Sequence, residues 1–334
     1  MTWHPRGMTS TPEPPNDPGS VPPSLPGSVP LSLPGSVPLS LPGSVRLDVG
    51  RGGLDRLRVE TSAGTGEVYL HGATVTAWTP TGHDPVIWVS REAVFAPDAA
   101  IRGGIPLCCP WFGPGRAGDR PWIHGFVRTA PWRLIEAVET RNAAGDGPSV
   151  TLTLEVTGRE CPKAGPEYAD AVFTCRVTFA ETLTVTLAAR AGTTPLDLEA
   201  AIHTYFVVGD VRRAHVEGLS GCPYVDKTTG GAIRTLDGPL TFTAETDAVI
   251  TSSGPARLVD PVLGRTITVT QQGAGNVVVW NPWADKAAAM ADFGDDEWPG
   301  MACVETANAF DNARIVEPGA SYAMTSTISV RRDR

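Results

Sequence analysis

The chain has 334 residues, a formal net charge of −9 and an apolar fraction of 41%, with 19% charged residues. This length and composition allow a large hydrophobic core, in one large domain or two ordinary ones. The negative charge argues against nucleic-acid binding and membrane-surface binding, so we expect neither kind of partner. Only three residues are lysine. An anionic ligand would therefore be held mainly by arginines, whose planar guanidinium suits phosphate or carboxylate.

Cysteine usage and hydropathy indicate the compartment. None of the six cysteines form a C-x-x-C pair. The pattern fits neither a zinc site nor a secreted disulfide framework. No apolar run approaches the roughly 20 residues of a membrane span, and the N-terminus lacks the apolar core of a signal peptide. We expect reduced, mostly buried thiols in a cytoplasmic protein.

The first 44 residues are of low complexity. The octapeptide Pro-Gly-Ser-Val-Pro-(Pro/Leu)-Ser-Leu begins at Pro18, Pro26 and Pro34. Proline at every fourth residue prevents a helix and removes backbone donors. We expect residues 1–44 to be a disordered tail without a catalytic role, followed by one domain over 45–332.

From residue 45 onward, short runs of alternating apolar and polar residues recur between Gly, Pro, Asn and Asp. The runs cover 57–61, 67–70, 74–79, 86–90, 132–139, 150–157, 171–180, 183–191, 196–208, 240–243, 266–271, 277–281, 302–306 and 322–330. Their spacing predicts an all-β protein, a large antiparallel β-sandwich with few short helices. A parallel α/β sheet is disfavoured because the crossover helices are missing.

One long irregular segment, 91–122, interrupts these runs. Segments of this kind are usually functional or disordered. Trp111 and Phe112 stand between Gly and Pro residues, which predicts an ordered loop packed over another part of the protein. Arg102 precedes two glycines, which allow close backbone approach to a ligand. Arg102 is therefore a candidate ligand contact, although a solvated arginine fits the same pattern.

Two titratable residues lie within predicted strands. Alternation over 196–208 places His203 on the same face as Tyr205. A histidine held on a rigid strand can transfer protons, or it can be a core residue bonded to a backbone carbonyl. Glu305 shares a face with Cys303 at the end of an apolar run. A carboxylate is costly to bury there unless it is paired or functional, and an edge-strand glutamate in solvent is the alternative.

Eight motifs that include these residues occur in a characteristic order between about residues 70 and 330. They are His71-Gly72-Ala73, Ile101-Arg102-Gly103-Gly104-Ile105-Pro106, Pro110-Trp111-Phe112-Gly113, His124-Gly125-Phe126-Val127-Arg128, Ile202-His203-Thr204-Tyr205-Phe206, Glu245-Thr246-Asp247, Trp280-Asn281-Pro282 and Cys303-Val304-Glu305-Thr306. This ordered series resembles the aldose 1-epimerase superfamily, and within it the glucose-6-phosphate 1-epimerase branch. The resemblance implies a galactose-mutarotase-like supersandwich without a metal or organic cofactor.

The resemblance also implies roles for particular residues. His203 and Glu305 would be the catalytic pair, and Arg102, Arg128 and Asp247 would contact the substrate, with both arginines toward a phosphate. The chain departs from the pattern at Ile123, where some relatives have a polar residue before the His-Gly-Phe motif. The Ile123 side chain cannot form the substrate hydrogen bond available to such a residue.

The chemistry of anomer interconversion agrees with this pair. A base takes the O1 proton and an acid protonates the ring oxygen, after which the ring opens and recloses on the other face. Glutamate, with an ordinary pKa of about 4.3, suits the base. Histidine, with an ordinary pKa of about 6.5, suits the acid if a neighbouring carboxylate keeps it charged. The hypothesis is therefore Glu305 as base and His203 as acid.

Two further residues are candidates for the site. His124 can line the pocket or fix the loop, and Trp280 can stack on a sugar or pack in the core. The histidines lack metal-ligand spacing, so we predict no metal site.

These observations predict interconversion of the α and β anomers of a hexose 6-phosphate, with glucose 6-phosphate as the expected substrate. The expected partner is this small sugar phosphate, and we expect a monomer. Two alternatives remain: a mutarotase for unphosphorylated aldoses, and a non-catalytic carbohydrate-binding protein. The first differs in whether Arg102 and Arg128 face the pocket. The presence of both His203 and Glu305 argues against the second, because a binding module needs no acid/base pair.

Overall fold

The computed structural model describes residues 40–140 and 147–333. The strands up to residue 207 are β1 (Val45–Val49), β2 (Asp55–Thr61), β3 (Gly64–Tyr69), β4 (Thr74–Pro80), β5 (Leu107–Cys108), β6 (Arg133–Thr140), β7 (Ser149–Thr157), β8 (Val172–Phe179), β9 (Leu183–Arg190), β10 (Leu196–Leu198), β11 (Ala200–Ile202) and β12 (Tyr205–Val207). The later strands are β13 (His215–Glu217), β14 (Pro223–Asp226), β15 (Ala232–Thr235), β16 (Leu240–Thr241), β17 (Thr246–Thr251), β18 (Ala256–Asp260), β19 (Arg265–Gln272), β20 (Asn276–Asn281), β21 (Met301–Asn308), β22 (Arg314–Val316) and β23 (Ser321–Arg332).

Helical structure is short throughout the described residues. The α-helix α1 covers Trp283–Ala288. Single 3-10 turns lie at Arg51–Gly53, Val127–Thr129, Gly158–Glu160, Pro166–Tyr168, Lys227–Thr229, Trp298–Gly300 and Phe310–Asn312. None of the helices within 40–140 and 147–333 combines the length and apolar character needed to cross a membrane.

The strands within the described part of the chain form four antiparallel sheets. The largest has nine strands in the order β16-β13-β18-β19-β23-β9-β8-β7-β6. The second has the order β15-β14-β17-β20-β21-β11-β5, and β12 also pairs with β21. A four-stranded sheet, β1-β2-β3-β4, and the pair β10-β22 complete the set. The predicted all-β antiparallel architecture with few short helices is therefore confirmed.

One main core is shared by the two largest sheets. Leu187 and Ile267 of the nine-stranded sheet belong to the same buried cluster as Ile202 and Val304 of the eight-stranded sheet. Because side chains alternate along a strand, the eight-stranded sheet also presents a second face. That face carries two smaller apolar clusters, one around Trp88, Tyr205, Trp280 and Cys303 and one around Cys108, Phe112, Ala201 and Val278.

Two predicted strands are wrong. Residues 86–90 make only isolated bridges, at Ile87 and Val89. The run 196–208 is divided into β10, β11 and β12, with breaks at Glu199 and at His203-Thr204. The breaks in 196–208 arise because backbone N–H groups at these positions donate to carbonyls of segment 91–122. The Glu199 N–H donates to the Pro110 carbonyl, and the His203 N–H donates to the Pro106 carbonyl.

Segment 91–122 is ordered and packed, as its aromatic residues predict. Trp111 and Phe112 are buried, and β5 is its one regular element. Gly103 and Gly104 have φ of 104° and 74°. A Cβ on Gly103 would lie 2.6 Å from the Trp88 carbonyl oxygen. These glycines are therefore required by close packing on the protein's own backbone.

The cysteines are all free thiols, five of them buried and Cys222 half-buried. This agrees with the expected reduced thiols. Residues 1–39 of the predicted tail lie outside the described residues, and β1 begins at Val45.

Candidate active site

The candidate site lies on the second face of the eight-stranded sheet, at its central strand β21. Two strands lie end to end along one side of β21: β11 places Ile202 opposite Thr306, and β12 places Tyr205 opposite Cys303. The same register places His203 opposite Glu305, although the chain leaves the regular ladder there. His203 Nδ1 lies 3.3 Å from Glu305 Oε1. The two predicted catalytic residues are thus brought together from distant parts of the chain.

A row of side chains across the sheet lies beside this pair. Cys303 of β21 is opposite Tyr205 on one side and Trp280 of β20 on the other. Trp280 is in turn opposite Asp247 of β17. Adjacent strands are about 4.8 Å apart, so this row crosses the sheet next to His203 and Glu305.

Both members of the pair are buried. Glu305 is 1% exposed and His203 is 8% exposed. Glu305 Oε2 and His203 Nδ1 have no hydrogen-bond partner among the described residues. Unsatisfied buried polar atoms are unusual in a folded protein, and a bound ligand is one way to satisfy them.

Burial shifts the two pKa values in opposite directions. It raises the pKa of Glu305 well above its ordinary value, and the charge of Asp247 adds to this. It lowers the pKa of His203 well below its ordinary value, and the charges of Arg128 and Arg102 add to this. The expectation that a neighbouring carboxylate keeps His203 charged stays a prediction. In the free protein, desolvation and the charges of the two guanidinium groups act against the protonated ring.

These shifts suit the pair to proton transfer. A carboxylate with a raised pKa is a stronger base once ionised, and an imidazolium with a lowered pKa is a stronger acid once protonated. Glu305 is thus a candidate proton acceptor, and His203 a candidate proton donor.

Arg102 approaches the site through Tyr205. Its Nη1 donates to the Tyr205 hydroxyl at 3.2 Å, and the Tyr205 ring stacks on His203 with centroids 4.7 Å apart. Its Nε and Nη2 contact the Asp292 carboxylate at 3.2 and 3.1 Å. Arg102 is therefore paired and held in place, rather than solvated.

Arg128 lies in the 3-10 turn Val127–Thr129, which follows the segment that carries His124. Its Nη2 donates to the Ile123 carbonyl at 2.8 Å. After burial itself, the charges of Arg128 and Arg102 are the largest causes that lower the pKa of His203. Both guanidinium groups are therefore close to that ring.

His124 both fixes the loop and lines the site. Its ring Nδ1 accepts from the Gly113 backbone N–H at 3.1 Å. The backbone N–H of His124 donates to the Gly113 carbonyl. An accepting Nδ1 leaves the proton of the neutral ring on Nε2. The ring lies edge-on to His203, with centroids 5.7 Å apart.

Trp280 belongs to the wall of the site. It is 9% exposed and lies edge-on to His203, with centroids 6.3 Å apart, and to Tyr205 at 5.9 Å. Trp280 thus packs in the cluster around Tyr205 and also borders the His203–Glu305 pair.

Asp247 is paired with Lys227, whose Nζ lies 3.0 Å from Asp247 Oδ2. The motif analysis named Tyr205 only as part of the segment around His203, without a role, and did not single out Lys227 or Asp292. Tyr205 was recognisable by its position two residues after His203 on the same strand face. Lys227 and Asp292 lie in connecting segments, where periodicity gives no signal.

One set of potential metal ligands is present among the described residues. Ligand atoms of His203, Cys303 and Glu305 all lie within 4.8 Å of one another. Burial raises the pKa of the Cys303 thiol well above its ordinary value. The two guanidinium groups and the Lys227 ammonium add positive charge beside His203. Such surroundings oppose a divalent cation and favour an anionic or polar ligand.

Comparison with known proteins agrees with this geometry. The sequence model of the aldose 1-epimerase family, described as "Aldose 1-epimerase", matches residues 55–329. An Escherichia coli protein named "Putative glucose-6-phosphate 1-epimerase" is 34% identical over 266 residues, 79% of this chain and 86% of that protein. A protein of the same name from Cenchrus ciliaris is 32% identical, covering 77% of this chain and 78% of that protein.

Solved structures agree with the sequence relatives. The crystal structure of a "putative mutarotase" from Salmonella typhimurium has a TM-score of 0.80 at 30% identity, covering 88% of this chain and 96% of that chain. Galactose 1-epimerase from Lactobacillus acidophilus shares the fold, with a TM-score of 0.65 at 14% identity, over 88% of this chain and 100% of that chain. The predicted galactose-mutarotase-like sandwich is confirmed, and the chain belongs to the aldose 1-epimerase family.

Proposed function

We propose that this protein interconverts the α and β anomers of a hexose 6-phosphate, with glucose 6-phosphate as the substrate. The observation that carries the proposal is the buried His203–Glu305 contact of 3.3 Å, together with the charges of Arg128 and Arg102 that act on the His203 ring. The names of the relatives at 32–34% identity support the same substrate.

The reaction requires two coordinated proton transfers. Glu305 takes the proton of the O1 hydroxyl while His203 gives a proton to the ring oxygen. The C1–O5 bond breaks, its electron pair goes to O5, and C1 becomes an aldehyde carbon. Rotation about C1–C2 presents the other face, and closure returns both protons. Each transfer contributes about 10²- to 10⁴-fold.

The phosphate group would complete the protonation of the acid. In the free protein, the positive charges of Arg128 and Arg102 contribute to the low pKa of His203. A phosphate held by these guanidinium groups carries about two negative charges and offsets their effect. Substrate binding would therefore favour the protonated imidazole that ring opening needs.

The remaining residues would hold the sugar. The Asp247 carboxylate can accept from a hydroxyl group, and the Nε2 proton of His124 can be donated to one. The Trp280 edge borders the pair and limits where the ring can lie. The Ile123 carbonyl binds Arg128, so this position would act through its backbone in place of a polar side chain.

The experiment is anomer-exchange NMR with glucose 6-phosphate, glucose and galactose, for the wild type and Arg102→Ala. We expect strong acceleration of glucose 6-phosphate exchange, and a loss in Arg102→Ala that is much larger for the phosphorylated sugar. An equal loss for free glucose would favour the mutarotase of unphosphorylated aldoses. If no sugar is accelerated, the result favours the carbohydrate-binding alternative.

The proposal also covers the domain that carries the activity, the oligomeric state and the compartment. The domain 45–332 would carry the activity as a cytoplasmic monomer, and the tail 1–44 would be dispensable. Six free thiols are compatible with a reducing compartment.

A further inference from the structure

We propose that Lys227 is a positioning residue of this site: its ammonium group holds the Asp247 carboxylate toward the sugar and compensates its negative charge beside Glu305. The inference rests on the proposed function, because it assigns Asp247 to the sugar and Glu305 to proton transfer. It adds a third cation to the two arginines.

The sheet register brings Lys227 and Asp247 together. Strand β14 pairs with β17, with Asp226 opposite Ala248. The next position along the same register places Lys227 opposite Asp247. The turn that follows is fixed by Asp226, whose Oδ1 accepts from the Thr228 N–H at 3.1 Å and from the Thr228 hydroxyl at 2.6 Å. These hydrogen bonds therefore fix the backbone at Lys227, the first residue of the turn.

The Lys227 side chain has two contacts that direct it inward. Its Nζ lies 3.0 Å from Asp247 Oδ2, and it lies 5.5 Å from the ring centroid of Phe112. Phe112 in turn contacts His124, with centroids 5.0 Å apart. The ammonium group is therefore held between the sheet and the loop that carries His124.

Burial distinguishes this ion pair from an ordinary surface pair. The Lys227 and Asp247 side chains are 31% and 13% exposed. A neighbouring pair, Lys286 with Glu245, has a similar separation of 2.6 Å but is 40% and 39% exposed. Exposed pairs contribute little and are screened by solvent, whereas a less exposed pair affects its surroundings more strongly. Lys286 therefore provides a matched control.

Several titratable groups surround Glu305. They are His203, Cys303, Tyr205, Cys108, Asp247 and Lys227. Burial lowers the pKa of His203 and raises those of Tyr205 and both thiols, so these four are neutral near pH 7. The charge that acts on Glu305 thus comes from the Asp247–Lys227 pair.

The two members of that pair act in opposite directions. Apart from burial, the Asp247 charge raises the pKa of Glu305 and the Lys227 charge lowers it. Without the ammonium group, the Asp247 carboxylate would be uncompensated, and Glu305 would keep its proton to higher pH. A protonated Glu305 cannot accept the O1 proton, so activity near neutral pH would fall.

The first test compares Lys227→Met, Lys227→Arg and Lys286→Met by the pH dependence of kcat/KM from pH 5.5 to 9. It uses whichever sugar the wild type accelerates. For Lys227→Met we expect a loss of about tenfold at pH 6.5 that shrinks toward pH 9, because each unit of pKa changes the ionised fraction about tenfold. Lys227→Arg should recover most of the activity, and Lys286→Met should match the wild type. A Lys227→Met loss that is equal at every pH, or no loss, would overturn the proposal.

The second test needs no activity. The folded-state pKa of Glu305 is raised, so the stability linked to its protonation is lost as pH rises toward that value. Lys227→Met should extend this loss to higher pH, giving a larger fall in Tm between pH 5.5 and 8.5 than in the wild type. This additional fall in Tm should be absent in the double variant Lys227→Met/Glu305→Gln. An unchanged pH dependence of Tm overturns the role of Lys227, whereas a wild type inactive on every sugar overturns the proposed function.

Discussion

Replacing Glu305 with glutamine distinguishes its contribution to catalysis from the free energy that burying its carboxylate costs the folded protein. The change keeps the side-chain shape and removes the proposed proton acceptor. Because general-base catalysis contributes about 10²- to 10⁴-fold, we expect kcat to fall by that factor, equal to about 2.7–5.4 kcal/mol of barrier. His203 would remain but would have no partner to take the O1 proton.

The same substitution should stabilise the protein. Glu305 is 1% exposed, one of its carboxylate oxygens has no hydrogen-bond partner, and its pKa is raised chiefly by burial. Ionising it in the folded state therefore costs free energy that a neutral amide avoids. We expect Glu305→Gln to be more stable by about 1–2 kcal/mol at pH 8. For a domain of this size, 1 kcal/mol corresponds to roughly 2–4 °C in Tm.

The sign of the pH dependence follows from linkage. In the unfolded chain the Glu305 pKa is close to its ordinary value of about 4.3, whereas in the folded protein it is raised. Wild type and Glu305→Gln should therefore have similar stability near pH 4, where the carboxyl is protonated in both states. They should diverge as pH rises through the folded-state pKa, with the wild type becoming less stable.

The assay is Tm by calorimetry from pH 4 to 9 together with anomer-exchange NMR at pH 7.5. Glu199→Gln is a useful control, because Glu199 is also buried and burial raises its pKa, but its carboxylate accepts from the Phe310 backbone N–H and has no role in the proposed reaction. It should retain activity. A Glu305→Gln variant with a near-wild-type rate would falsify the base assignment. A variant destabilised by several kcal/mol would show that the carboxylate is a structural residue.

Three other expectations concern the acid and the phosphate. His203→Asn removes the proposed proton donor, so kcat should fall about 100-fold or more with Tm nearly unchanged, as measured by NMR and calorimetry. Asp292→Asn leaves a hydrogen-bond acceptor for Arg102 but removes a negative charge, so KM for glucose 6-phosphate should fall about two- to fivefold at low salt and that for glucose should not change. Inorganic phosphate should accelerate glucose exchange in the wild type but not in Arg102→Ala. A rise in KM for Asp292→Asn, or no effect of phosphate, would contradict the phosphate site at Arg102.

The longer strands could be predicted because enough of their side chains alternate between apolar and polar to display a period of two. Strands β7, β8 and β9 each have eight or nine residues with inward side chains at every second position. Strands β13, β14, β15 and β22 have three or four residues, too few to display a period. In β17 the consecutive residues Ala248, Val249 and Ile250 are all buried, so alternation is lost there as well.

The candidate site was predictable only in part. The motifs identified His203 and Glu305, but their 3.3 Å contact depends on the register of β11 and β12 along β21. No local pattern specifies that register. The pKa directions depend on burial and on Arg102 and Arg128, whose arrangement arises from loop packing. For this reason the expected charge of His203 could not be derived from its sequence neighbours.

The protein is acidic as a whole, with a net charge of −9, yet its candidate site holds Arg102, Arg128 and Lys227 around a buried acid/base pair. These cations disfavour a protonated His203, which the proposed ring opening requires, so the free site would be poorly prepared for that reaction. A sugar that brings a phosphate offsets that charge, while an unphosphorylated sugar does not. The phosphate would then contribute to kcat as well as to binding, which is how binding energy remote from the reacting atoms becomes transition-state stabilisation. Specificity for a hexose 6-phosphate would follow from the electrostatics of the acid itself, without further contacts to the sugar.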